Sequence, residues 1–219
     1  MKNLFLIFLM CICTLTYAQK PLLDSASLAK KPVFNSLEDA LKTPLEVYKL
    51  NLFEQKSNIL LTEIGKCINL QNLYIAYSDS LTSLPKEIGN LKNLEVLHLR
   101  WCKNFTFLPK EIGNLKNLRE LYLNDSQFTS LPKEIGNLKN LEILYLNDCN
   151  NLTSLPKEIG NLTNLAQLYL EDCMKIVRIP EEIVKLKKLK ILCLSSTPIS
   201  EKEKNKLKKM LPKCLIITE

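Results

Sequence analysis

The chain of 219 residues contains one histidine, one tryptophan and five glycines. The single histidine, His98, falls on an outward strand position, and no Ser/His/Asp arrangement appears. No Cys-x-x-Cys spacing occurs either, so the usual zinc-ligand sets are missing. No glycine-rich phosphate loop and no dinucleotide fingerprint appears. Catalysis therefore has no positive support, and no cofactor, metal or small-molecule substrate is expected. Beyond the first 18 residues there is no long apolar run, so stable membrane insertion of the remainder is not expected.

Charge is present but unevenly placed. The formal net charge is +7, yet residues 185–213 hold ten Lys against Glu201 and Glu203. Residues 19–184 hold 19 basic and 20 acidic side chains, so the basicity belongs to one end. Such an end attracts anionic surfaces in principle. It reads here as a solvated cap, and no nucleic acid is expected as a partner.

The N-terminus reads as an export signal over residues 1–18. Lys2 supplies the positive start, Leu4 to Leu15 the short apolar run, and Thr16-Tyr17-Ala18 a small residue at the cut. The run is too short to span a bilayer. Neither Cys11 nor Cys13 follows the small residue that a lipid anchor requires. The expected location is secreted or in the cell envelope, with Gln19 as the mature start.

One phrase then dominates. Leu84-Pro85-Lys86-Glu87-Ile88-Gly89-Asn90-Leu91 returns at Leu108, Leu131 and Leu155, at spacings of 24, 23 and 24 residues. A looser copy begins at Ile179. A fixed period in this range denotes a solenoid. In the unit 90–113, Leu97 and Leu99 have the period of a strand, with alternate residues facing opposite ways. Leu84, Ile88 and Leu91 have the spacing of a helical face. Each unit is thus a strand and a tight helical or 3-10 return. Pro85 suits the first turn of that return, and Gly89 its end, where a positive φ is expected.

Leu94, Leu97, Leu99 and Cys102 spell Leu-x-x-Leu-x-Leu-x-x-Cys. This resembles the leucine-rich repeat, in the 23-residue bacterial and plant-type wording, over about residues 43–200. The resemblance implies an α/β solenoid: a right-handed horseshoe with a concave parallel β-sheet and short helical or 3-10 turns on the convex side. Residues 19–42 form a flexible lead-in and a capping helix from Ser36, 43–196 the repeats, and 197–219 a C-terminal cap closing with a strand at Leu215 to Ile217.

The mature chain has six cysteines, an even number that raises a disulfide framework in an exported protein. Cys102, Cys149 and Cys173 instead share one repeat position with Ser78, Ser126 and Thr197. The resemblance makes that position buried and bonded to the turn after the strand. Cys67 takes a leucine position. Cys193 and Cys214 are the pair to test first for a disulfide.

The outward strand positions form three columns. One carries Tyr74, His98, Tyr122, Tyr145 and Tyr169, and another carries Arg100, Asn124, Asn147 and Glu171. Trp101 follows the strand at a position held by Asp125, Asp148 and Asp172 in later units. Tyrosine and tryptophan provide large contact area at low entropic cost. Tyrosine also fits a sheet surface for purely structural reasons. The resemblance implies recognition of a protein ligand, not yet identified, by a monomer. A glycan-binding surface protein remains an alternative, as does an intracellular recognition module should Met1 be retained. Tyr122→Ala and Tyr145→Ala are expected to weaken the partner at little cost in melting temperature.

Overall fold

The computed structural model describes residues 19–55 and 60–219. The expected signal, residues 1–18, lies outside them. Among the described residues nine strands form one parallel sheet in chain order. They are β1 (Val33–Phe34), β2 (Lys49–Phe53), β3 (Asn72–Ala76), β4 (Val96–Arg100) and β5 (Glu120–Tyr122). β6 (Ile143–Tyr145), β7 (Gln167–Tyr169), β8 (Ile191–Cys193) and β9 (Leu215–Ile217) complete the sheet. Leu97 pairs with Leu121, Leu121 with Leu144 and Leu144 with Leu168, so the repeat register is the sheet register. The chain is the expected α/β solenoid.

The returns are 3-10 turns, at Lys86–Asn90, Lys110–Asn114, Lys133–Asn137, Lys157–Asn161 and Glu181–Lys185. The two periods of each unit converge on one core. Leu97 and Leu99 from β4 are fully buried with Ile112 and Leu115 from the return. Each such side chain contributes roughly 1.5–3 kcal/mol on burial, and only where neighbouring coils stack. Phe105 and Phe128, on adjacent coils, are the largest fully buried side chains.

Proline and glycine work differently from the expectation. Pro85, Pro109, Pro132 and Pro156 precede the turns in extended geometry, with ψ between 145° and 155°. Their carbonyls accept the N–H of Ile88, Ile112, Ile135 and Ile159, so the rigid ring sets the entry to each turn. No glycine has a positive φ. The glycines are required by close approach: a Cβ on Gly160 would lie 2.4 Å from the carbonyl oxygen of Glu182 in the next coil. On Gly136 the corresponding distance, to Glu158, is 2.5 Å. Gly160→Ala is therefore expected to destabilise the protein by about 2 kcal/mol through overpacking. At roughly 2–4 °C per kcal/mol for a chain of this size, thermal unfolding would show a loss of several degrees. Gly65→Ala, whose nearest contact is the Glu87 Cβ at 2.9 Å, is expected to cost less.

Polar ladders also join the coils. The Nδ2 groups of Asn117, Asn140 and Asn164 donate to the carbonyls of Lys92, Lys116 and Lys139 at 2.8–2.9 Å. The shared cysteine position is buried in the inner coils as the resemblance implied, and its side chains bond to backbone carbonyls except at Ser126, whose Oγ has no partner. The thiols of Cys149 and Cys173 donate to the carbonyls of Leu123 and Leu146 at 3.3 and 3.1 Å. Ser78 and Cys102 donate instead within their own coil, to the carbonyls of Ala76 and Arg100. All six described cysteines are free thiols, Cys193 and Cys214 included.

Both ends are covered. Helix α1 (Ser25–Ala29) precedes β1, and α2 (Leu37–Lys42) buries Leu37 and Ala40 against the first coil. Ser36 caps α2 by accepting the Asp39 N–H, as its spacing predicts. The lead-in departs from the flexible segment its polar composition indicated. Lys20 and Leu23 donate their N–H groups to Asn69 and Gln71 at 2.8 and 2.9 Å, and Lys20 accepts from Asn93 at 2.7 Å. At the other end, α3 (Glu201–Met210) buries Leu207, and β9 closes the sheet.

Candidate functional site

Alternation along each strand sends Leu73 and Ile75 into the core and Asn72 and Tyr74 to the opposite face. Strict register then turns one repeat position into one column across the sheet. In the middle column, Tyr74, His98, Tyr122, Tyr145 and Tyr169 form a continuous stack. Successive ring centroids are 4.4, 3.8, 4.8 and 4.0 Å apart. The Tyr122 hydroxyl donates to Glu120 at 3.1 Å and the Tyr169 hydroxyl to Gln167 at 3.0 Å. Burial pushes the Tyr122 phenol up to about 12, with Glu120 adding to the shift. Stacked aromatic pairs are worth about 0.5–1.5 kcal/mol beyond their burial. The expectation that Tyr122→Ala and Tyr145→Ala spare the fold is therefore corrected: each removes two ring contacts, and both cost stability.

His98 sits inside this stack. Burial, then the Arg100 charge, lower its pKa to about 4. The unfolded chain therefore binds the proton first, near 6.5, and stability falls as the pH drops from 6.5 toward 4. His98→Tyr continues the column with a ring that does not titrate there. It is expected to flatten the melting-temperature profile between pH 6.5 and 4, as read by thermal scans across that range.

The residue just after each strand forms a rim with an unusual backbone. Tyr77, Trp101, Asp125, Asp148, Asp172 and Ser196 all have φ between 53° and 60°. Aspartate tolerates this left-handed conformation, whereas for bulky side chains it is a true outlier. Trp101 and Tyr77 nevertheless occupy it, 38 % and 53 % exposed, with their rings stacked 4.6 Å apart. The Arg100 guanidinium lies 4.6 Å over the Trp101 ring.

Beside this pair the face has a notch. Phe53, Ala76 and Arg100 share a column, and the small Ala76 leaves a gap between its larger neighbours. The cavity is about 270 Å³ and is lined by Asn51, Phe53, Tyr74, Tyr77, His98 and Trp101 besides the gap itself. Among the described residues Arg100 forms no ion pair. The Nε2 of His98 and the Oδ1 of Asn124 are buried without a hydrogen-bond partner.

Away from the notch the rim turns acidic. Burial raises the pKa of Asp125 and Asp148, and Asp125, Asp172 and Glu171 raise that of Asp148 further. Asn147 donates to Glu171 at 3.1 Å. Among the described residues no three His, Cys, Asp or Glu side chains converge as a metal site would require.

Of the residues singled out from sequence, Tyr74, His98, Arg100 and Trp101 gather at the notch. Tyr122, Asn124, Tyr145, Asn147, Tyr169 and Glu171 continue the same columns toward β8. Sequence reasoning did not select Phe53, Tyr77 or Ala76. Ala76 and Tyr77 stand in the outward columns ahead of Arg100 and Trp101, and aligning Leu50-Asn51-Leu52-Phe53 with Leu73-Tyr74-Ile75-Ala76 adds Phe53.

A family model described as a leucine-rich repeat region matches residues 42–149 and, overlapping, 107–213. Comparison with curated proteins gave no match. Among solved structures, a leucine-rich-repeat protein of Leptospira interrogans is similar at 39 % identity with a TM-score of 0.72. The match covers 85 % of this chain and 46 % of that one, so this chain spans less than half of that protein's length. The ectodomain of the Arabidopsis thaliana receptor kinase GASSHO1/SCHENGEN3, in complex with Casparian strip integrity factor 2, is similar at 26 % identity. Its TM-score is 0.57, with 85 % of this chain and 23 % of that one covered. Internalin C2 of Listeria monocytogenes shares the fold at 17 % identity and TM-score 0.56, over 78 % of this chain and 68 % of that one.

Proposed function

The chain belongs to the leucine-rich repeat family, and from that premise we propose that it binds another protein through the concave face of its sheet, outside the cell. The supporting observation is the rim. Two bulky aromatics stand exposed where the backbone favours aspartate or glycine, and they flank a notch. Backbone strain of this kind persists at binding sites. Proteins of this family generally mediate protein–protein interactions, and the Arabidopsis ectodomain is in complex with another molecule. Export is supported by Lys2, the apolar run from Leu4 to Leu15 and Ala18. Among the described residues no helix is long and apolar enough to cross a membrane. The protein acts by binding, without catalysis.

Site-specific photocrosslinking tests this reading. A crosslinker at Asn124, on the sheet face, is expected to trap a protein partner, and one at Lys133, on a 3-10 turn, is not. Crosslinks from Lys133 alone would move recognition to the convex side. A glycan captured in place of a protein would favour the carbohydrate alternative. N-terminal sequencing of the mature chain, with Gln19 first, checks export.

A further inference from the structure

Two features of the face are unlike each other and lie within a few coils. One is the aromatic notch with Arg100 on its wall, and the other is the rim of Asp125, Asp148 and Asp172 beside it. Building on the proposed role in protein recognition, we propose that the face takes an extended peptide segment with an aromatic side chain seated in the notch and Lys or Arg four and six residues away over the acidic rim.

The anchor follows from the walls. Tyr74 and His98 stack on one side, Tyr77 and Trp101 on the other, and Phe53 stands opposite Arg100. A planar apolar side chain makes offset or edge contacts with all of them. A cationic one is repelled by Arg100, which has no carboxylate partner to neutralise it among the described residues. The volume of about 270 Å³ suits a single side chain and not a folded element. The unpaired donors of Arg100 are available to the ligand's main-chain carbonyls.

The basic positions follow from charge and spacing. Neighbouring strands of a sheet lie about 4.8 Å apart, so Asp148 and Asp172 stand roughly 14 and 19 Å from the coil of Ala76, where the gap lies. An extended chain advances about 3.3 Å per residue, which places its fourth and sixth residues over those carboxylates, with side chains on the same side as the anchor. Among the described residues neither aspartate, nor Asp125, takes part in an ion pair. Burial, then Asp125 and Asp172, raise the pKa of Asp148, and a cation from a partner relieves that repulsion. The wide C-terminal lysine surface is a poorer candidate: the cavity at Lys206 also holds Glu181 and Glu203, with Lys206 already paired to Glu181, and the one at Lys187 and Lys213 has no aromatic wall.

The test is selection of random peptides of about 12 residues, displayed on phage, against residues 19–219. Enriched peptides are expected to carry an aromatic residue with Lys or Arg four or six positions away. Ala76→Leu fills the notch from an outward position and is expected to weaken the best peptide about tenfold or more. Asp148→Asn is expected to weaken it severalfold and to flatten its salt dependence. Thermal melts of both variants confirm folding, and Trp101→Asp serves as a second notch variant if Ala76→Leu unfolds. Enrichment of peptides without that spacing, indifference to both notch variants, or no enrichment overturns the proposal. Peptides of another composition that crosslink at Asn124 overturn it alone and leave recognition by the concave face standing. Crosslinks confined to Lys133 overturn both.

Discussion

Trp101→Asp is expected to abolish partner capture while leaving the melting temperature within a few degrees of the parent. The opposing terms are of similar size. The substitution loses the stack on Tyr77 and the contact with Arg100, each about 0.5–1.5 kcal/mol at exposed sites. It also relieves a bulky residue held at φ 53°, a conformation that costs roughly 1–2 kcal/mol. Three later coils already carry aspartate at this position. On the binding side nothing offsets the loss, since a wall of the notch disappears and a carboxylate replaces it. Central aromatic anchors commonly carry about 2 kcal/mol or more, so a drop of roughly 30-fold or greater in affinity is expected. Calorimetric titration and a thermal melt of the same preparation decide the matter. A large fall in melting temperature would make Trp101 a structural residue, and unchanged affinity would remove it from the interface.

Phe128→Ala is expected to produce the largest stability change of any single substitution considered. Phe128 is fully buried beside Phe105 of the preceding coil, in a column otherwise filled by Leu81, Leu152, Ile176 and Ile199. Removing a buried phenylalanine ring typically costs about 3–5 kcal/mol, because the transfer loss and the cavity add. The corresponding melting-temperature drop is roughly 6–20 °C. Each coil of a solenoid contacts only its neighbours, so a weakness at mid-array loosens two interfaces at once. Chemical denaturation followed by tryptophan fluorescence reports the change, since Trp101 lies on an adjoining coil. A loss below about 1 kcal/mol would show that the Phe105 side collapses into the space.

Most of the fold could be read from periodicity. Leucine spacing fixes which residues face inward, and the parallel register follows because every unit repeats the same choice. The exceptions share one cause. Gly89 and its counterparts are needed for what lies one coil away, a contact invisible in a single unit. The left-handed rim is a property of the backbone after the strand, and a position holding Tyr77, Trp101 and Asp125 offers no glycine to betray it. β1 is two residues long, below what alternation can reveal. Lys20 and Leu23 are ordered by side chains some 48 residues distant. The notch depends on Ala76 being small among large neighbours, and small residues carry no signal until the columns are aligned.

The left-handed rim has a consequence for engineering. Seven positions, from Glu54 to Ser196, hold this conformation while bearing Glu, Tyr, Trp, Asp and Ser. The turn geometry is thus imposed by the buried residues on either side, and the rim side chain is free to vary. A library at these positions drawn mainly from Asp, Asn, Ser and Gly, with an aromatic at one or two of them, keeps the added strain small. Binders to new targets would then be selected by composition along one edge, with the interior left untouched.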